Sequence, residues 1–302
     1  MGKYSIKELE KLSGIKAHTI RIWEKRHHLV APQRTDTNIR YYSDEDLKKI
    51  INVSALNNHG IKISKIVELS PDEINQQVSE LSNATNSNEL YIDQLVIAMI
   101  DLEEEQFDKI LSGLVLKFGF EKTVTEIIYP FLEKIGILWL TNHITPSQEH
   151  FISNLIRQKM LVAIDGLSLA PKSAPKAILY LPENELHELS LLFFHYLAKK
   201  TGLRTYYLGQ SVPFKDLKSV VEQYKADIIV TALTSGPSAT MMQAYLNRLS
   251  TEFASIKIFV TGYALKKVKP EYPANITFFD NALIFKELLN ASIDCLTLLI
   301  FC

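Results

Sequence analysis

Cysteine is nearly missing from this chain: of 302 residues only Cys295 and Cys302 are cysteine, at no metal-binding spacing. That excludes a disulfide framework and a cysteine zinc site, and it points to a reducing compartment. Long apolar runs are missing too. Nowhere do about eighteen apolar residues follow one another, and the start Met1-Gly2-Lys3-Tyr4-Ser5 is polar rather than a signal core. No membrane segment is expected, and a cytoplasmic location is. Net charge is close to nil, −1 overall, so the chain as a whole is no polyanion binder. The balance is uneven, however: residues 1–50 hold eleven Lys and Arg against seven Asp and Glu, a basic surplus at the N-terminal end. No nucleophile constellation, metal triad or phosphate loop is spelled out, so an enzyme is not expected. What remains is ordinary globular material, 47% hydrophobic and 22% charged, in a length that allows several separate cores.

The first seventy residues organise the basic surplus. Ser5 can cap a helix from Ile6 to Leu12, Glu8 completes a capping box, and Gly14 ends it. After a tight turn, Lys16 to Lys25 reads as a second helix. Its Ile20 and Trp23, with Ile15 just ahead of it, face inward, leaving Lys16, His18, Thr19, Arg21 and Arg26 for another surface. Two short helices about a glycine turn make a helix-turn-helix, whose second helix suits the major groove of DNA. Arg34 and Arg40-Tyr41-Tyr42 follow in a turn-rich segment that suits a β wing, and Ser43 caps a further helix to about Leu56. From Ser70 to Asn88 the text turns polar and broken, which predicts a linker.

Four segments come next with apolar residues at helical spacing, Leu90–Leu102, Glu105–Phe118, Glu121–Trp139 and Pro146–Leu167, and they predict a bundle. Trp139 closes the third; Glu149 and His150 fall in the first turn of the fourth. Singly these are ordinary, a packing Trp and a charged helix start. After a Pro171–Pro175 linker, strands at Ala177–Leu181, Thr205–Leu208, Asp227–Ala232, Lys257–Thr261 and Ile276–Phe279 alternate with helices. That order predicts a doubly wound parallel sheet. Glu185-Leu186-His187-Glu188 lies on its first strand-to-helix loop, at the edge where such sheets bind ligands. A histidine with an acid two residues before it is a metal-ligand arrangement with its own supporting hydrogen bond.

Two resemblances follow. Thr19-Ile20-Arg21-Ile22-Trp23-Glu24, Pro32-x-Arg34, Arg40-Tyr41-Tyr42-Ser43 and Gly60-Ile61 resemble the winged-helix DNA-binding domain of the MerR family. By that resemblance Thr19 and Arg21 work at the recognition helix and Arg40 with Tyr41 at the wing. Glu185-x-His187-x-x-Ser190, Thr231-x-Leu233 and Thr261-Gly262 are similar to the cobalamin signature D/E-x-H-x-x-G, S-x-L and G-G. Trp139, Glu149 and His150 match the W-x9-E-H of the CarH/LitR-type photoreceptor branch of MerR regulators. Ser190, Thr231 and Thr261 depart from the family's Gly, Ser and Gly.

The resemblance implies a cytoplasmic DNA-binding regulator that senses adenosylcobalamin, and light, by changing its oligomeric state between dimer or tetramer and smaller forms. His187 would be the lower cobalt ligand, supported by Glu185 and the Thr231 hydroxyl. Trp139 would lie against the adenosyl group, and His150 would be the upper ligand after photolysis. The expected architecture is a multidomain α and α/β chain: winged helix-turn-helix over residues 1–70, linker over 71–88, four-helix bundle over 89–170, and a five-stranded flavodoxin-like cobalamin domain over 176–302. Two alternatives stay open. One is a MerR-type regulator whose C-terminal half only assembles subunits without cofactor; the other is a corrinoid-carrying methyltransferase component.

Overall fold

A computed structural model describes residues 2–140, 144–236 and 238–300; Cys302 lies outside them. The chain divides into two compact units, Met1–Leu155 and Ile156–Cys302.

In the first unit, helix α1 (Ile6–Ser13) starts at Ser5 with both arms of a capping box to Glu8 and ends at Gly14, whose φ of 72° only glycine adopts at no steric cost. Helix α2 (Ala17–His27) follows and buries Ile20 and Trp23. Strands β1 (Gln33–Arg34) and β2 (Arg40–Tyr41) pair antiparallel as the wing. The backbones of Tyr4 and Tyr42 exchange hydrogen bonds of 2.9 and 2.8 Å, tying the chain start to the end of the wing. Helix α3 (Asp44–Asn58) is capped by Ser43 with Asp46 and contributes Leu47, Ile50, Ile51 and Val53 to the core. A short α4 (Ile63–Ile66) comes after it.

Of residues 71–88, expected to be a linker, 71–85 are helical instead. Helix α5 (Pro71–Thr85) has a Ser70–Glu73 capping box, Pro71 in its first turn and Asn86 in the left-handed conformation at its end. Ile74, Val78 and Ser82, four apart, are buried on one side, and the helix packs on α3. So narrow a stripe is faint in a polar sequence, yet it suffices where a neighbour supplies the rest of the apolar surface. Asn52 of α3, itself buried, donates to Asn75 of α5 at 2.8 Å and accepts from Gln94 at 3.0 Å, so an amide chain joins α3, α5 and the next helix.

That next helix is α6 (Asn88–Ile100), followed by α7 (Glu104–Phe118) and α8 (Phe120–Thr123). A π-helical turn, Val124–Ile128, leads into α9 (Tyr129–Leu140), and α10 (Pro146–Asp165) begins in the first unit and ends in the second. The third bundle helix was expected unbroken from Glu121 to Trp139. Pro130 interrupts it: the ring crowds the carbonyl four residues back and offers no N–H, and a wider π turn relieves both.

The second unit is a five-stranded parallel sheet. Its elements run β3 (Lys176–Pro182), α11 (Leu189–Lys200), β4 (Arg204–Val212), α12 (Phe214–Tyr224), β5 (Ile228–Ala232) and α13 (Ala239–Glu252). They continue with β6 (Lys257–Thr261), α14 (Tyr263–Val268), β7 (Ile276–Phe278) and α15 (Ala282–Ile300). Strand order is β4-β3-β5-β6-β7. Every expected strand is present; only α14 was unforeseen. Alternation sends Ile178, Tyr180, Ile229, Ile258 and Val260 toward α12 and α13. On the opposite face α11 and α15 bring together Phe194, Phe279 and Phe285, with ring centroids 4.6 to 5.0 Å apart. Connections leave β3 and β5 in opposite directions, which opens a crevice at their carboxyl ends. Among the described residues no helix is long and apolar enough to cross a membrane.

Candidate functional site

At that crevice the loop between β3 and α11 carries Glu185 and His187. Glu185 is 4% exposed. One of its carboxylate oxygens accepts from His187 Nδ1 at 2.6 Å and from the backbone N–H groups of Leu186 and His187. The other accepts from the backbone N–H groups of Thr234 and Ser235, both at 2.8 Å, in the loop after β5. The Ser235 hydroxyl reaches the same carboxylate at 3.1 Å. Burial opposes ionisation of this carboxyl, but the donors from His187, Ser235 and Thr234 outweigh it and bring its pKa from 4.5 to about 2. Glu185 is therefore an anion at neutral pH, and it fixes the ring of His187 while that ring stays 61% exposed. With Nδ1 donating to the carboxylate, Nε2 is the nitrogen that carries a lone pair suited to a metal.

The loops beneath are held just as closely. Leu233 N–H donates to the Thr261 carbonyl at 2.8 Å, and Ala264 N–H to the Leu233 carbonyl at 3.2 Å. Gly262 makes this approach possible: its φ is 122°, and a Cβ there would sit 2.2 Å from the Leu233 carbonyl oxygen. Thr261 is buried and Ser190 half-buried. The Thr231 hydroxyl, expected to support the histidine through Glu185, does not. It is fully buried, opposite Tyr180 in the strand register and beside that phenol, and makes no hydrogen bond to Glu185. Ser235 and Thr234 take its place. Sequence reasoning passed over both, because the contact is fifty residues away in the chain and only the adjacency of β3 and β5 creates it.

In the first unit, Trp139 is 45% exposed at the end of α9. Glu149 and His150 lie in the first turn of α10, with His150 Nε2 3.5 Å from Glu149 and 72% of its side chain exposed. Glu149 also accepts from the Ser153 hydroxyl at 2.7 Å. On the basic module, Lys16, His18, Arg21, Arg26, Arg34 and Arg40 are exposed, and Thr19 and Tyr41 are half-buried. Lys16 is paired with Glu10 at 3.0 Å and Arg40 with Glu24 at 3.6 Å. Arg34 donates to the Asn38 side chain at 2.6 Å, and Tyr41 to Gln33 at 2.6 Å, which stiffens the wing.

The donor set at the sheet edge fits one kind of metal group. Among the described residues no three His, Cys, Asp or Glu are gathered to enclose an ion, so a single presented imidazole suits a metal that brings most of its own ligands, as cobalt in a corrin ring does.

A wing beside a two-helix module, then a helical bundle, then a parallel sheet with a histidine at its switch point defines a helix-turn-helix protein with a corrinoid-type sensor half. Comparison with known proteins agrees. Residues 4–73 match the MerR HTH family regulatory protein model and residues 91–163 the B12 binding domain model. The chain thus carries a MerR-type helix-turn-helix segment followed by a segment similar to a B12 binding domain. It is 25% identical over 252 residues to the HTH-type transcriptional repressor CarH of Myxococcus xanthus, spanning 82% of this chain and 84% of that one. It is likewise 25% identical over 253 residues to the repressor CarA of the same organism, spanning 83% and 80%. The monomethylamine corrinoid protein of Methanosarcina barkeri shares the fold with a TM-score of 0.54 at 16% identity, covering 68% of this chain and all of that one.

Proposed function

We propose that this protein is a DNA-binding transcription regulator whose sheet and bundle sense adenosylcobalamin, and light through it, by changing the oligomeric state. The observation that carries the reading is the Glu185–His187 pair: an exposed imidazole, oriented by a buried anion, at the carboxyl edge of the sheet. Cobalamin, when bound, supplies a cobalt ion that accepts an imidazole and, in the adenosyl form, a light-sensitive cobalt–carbon bond. The chain's residues do the rest. His187 offers Nε2 as the lower ligand, and Glu185 holds the ring in one tautomer and one orientation. Trp139 would supply an exposed apolar surface for the adenosyl side, and His150, 3.5 Å from its neighbour Glu149, would be the second imidazole available to cobalt. The exposed cations on α2 and the wing contact operator DNA, neutralising phosphates and positioning the recognition helix.

Oligomer state must follow the cofactor's upper group, because a ligand shifts an assembly only by its difference in affinity for the two forms. The test is size-exclusion chromatography with visible absorption on cofactor-free, dark adenosylcobalamin-loaded and illuminated protein. Dark loading should enlarge the assembly, light should reverse it, and hydroxocobalamin should not produce it. His187→Ala should remove the histidine-ligated features of the spectrum. Equal elution in all states with no bound chromophore would overturn the sensor reading and leave a DNA-binding assembly protein.

A further inference from the structure

The residue after His187 is also a buried acid, and neither the signature nor the ligand role accounts for it. Glu188 is 8% exposed. Its Oε1 accepts from Arg157 Nε of α10 at 2.5 Å, and its Oε2 from the Tyr207 hydroxyl of β4 at 2.9 Å. Both carboxylate oxygens are thereby used, by two elements other than the one that carries the residue. Burial and the charge of Glu188 push the Tyr207 phenol far up, so it stays a donor. Glu188 is also the N-cap of α11, and its carbonyl accepts the first helical hydrogen bond, from Leu192 at 2.9 Å.

The loop over residues 183–188 is consequently fastened on both sides of the histidine. Glu185 locks it to the loop after β5, and Glu188 locks it to α10 and β4. Between them, Gln210 of β4 donates to the Leu186 carbonyl at 2.6 Å. Leu186 and His187 alone project between the two anchors, 60% and 61% exposed. Burying a carboxylate in this manner is a poor way to gain stability, since an apolar side chain of the same size would serve as well. What it does supply is a fixed backbone position and direction.

We propose that Arg157, Glu188 and Tyr207 form a positioning set that holds the backbone at His187, so that its imidazole is presented at one height and angle above the sheet edge. This deepens the proposed function and rests on His187 being the lower ligand. Loss of the set leaves the ring and its Glu185 bond in place but lets the loop backbone wander, which lowers the occupancy of the ligated geometry.

The test uses the full chain with Arg157→Ala, Arg157→Lys, Glu188→Gln and Tyr207→Phe, beside wild type and His187→Ala. Hydroxocobalamin is the probe, and hydrogen exchange over residues 183–190 of cofactor-free protein is a second readout. Arg157 is nearly half exposed, so its variants should fold. Arg157→Ala and Glu188→Gln should weaken the histidine-ligated form by about 10- to 100-fold and speed exchange in the loop. Arg157→Lys should recover part of the loss, and free imidazole should restore a histidine-like spectrum in Arg157→Ala. If wild type and His187→Ala differ while Arg157→Ala and Glu188→Gln match wild type in spectrum and exchange, the positioning role is wrong and the ligand reading stands. If wild type and His187→Ala give the same spectrum, the ligand reading fails and takes the positioning role with it.

Discussion

Two Glu–His pairs stand in this molecule, one on a helix of the bundle and one on a loop of the sheet, and they are built in opposite ways. Glu149 and His150 are sequence neighbours in the first turn of α10, 3.5 Å apart, with the imidazole 72% exposed. Helix propensity and a favourable end charge are enough to put them there. Glu185 and His187 sit two residues apart on an irregular loop at 2.6 Å, and the acid is buried with donors from a loop fifty residues downstream. One pair is held by local contacts alone; the other has its acid fixed by donors that are present because two strands are adjacent. The difference suits their proposed duties. A permanent ligand needs a single fixed geometry, whereas a ligand engaged only in one state must be able to move, and a well-satisfied buried anion cannot.

Three measurements would break or sharpen this contrast. The largest effect should come from Glu185→Ala. It strips the acceptor from backbone donors of Thr234, Ser235 and His187, and buried donors without a partner are expensive. Urea unfolding should show a loss of about 3–5 kcal/mol. A loss below about 1 kcal/mol would mean that the buried pair is no better held than the exposed one.

Next in size is the acid dependence. The pKa of Glu185 falls from 4.5 to about 2 on folding. A depressed carboxyl stabilises the fold fully above 4.5 and loses that contribution as pH falls toward about 2. The total is on the order of 3 kcal/mol. Unfolding midpoints measured from pH 5 down to 2.5 should therefore be steeper for wild type than for Glu185→Gln. Parallel profiles would remove Glu185 as their cause.

The smallest change is expected at the helical pair. Glu149→Ala or His150→Ala should alter stability by no more than about 0.5 kcal/mol, as for other exposed positions. Differential scanning fluorimetry would register a larger shift, and that result would erase the distinction between the pairs.

Much of this was legible in the chain. The capping boxes at Ser5 and Ser43 marked the starts of α1 and α3 because both partners lie within three residues. The five strands stood out as apolar β-branched runs, and Trp23 and Ile20 as the inward side of α2. Less of it could be read where the decisive partner was distant. Helix α5 carries a local mark too, the Ser70–Glu73 capping box, but it buries too few residues to look like a helix until α3 is beside it. The π turn before Tyr129 follows from Pro130, a local cause that was present in the text and passed over. Thr231 was expected to hold Glu185 because it stands in the right motif, yet its hydroxyl points into the apolar layer next to Tyr180 and Ser235 makes the bond.

By itself, then, the sequence determined the periodicities, the caps, the order of modules and the two Glu–His pairings, since each of these rests on residues within a few positions of one another. Only the tertiary structure decided which carboxylate is buried and ionised, that Thr234 and Ser235 hold it, and that Arg157 and Tyr207 grip the residue next to His187. Hydrogen bonds of that kind depend on which strands become neighbours, and strand order is set by how the whole sheet buries its two apolar faces.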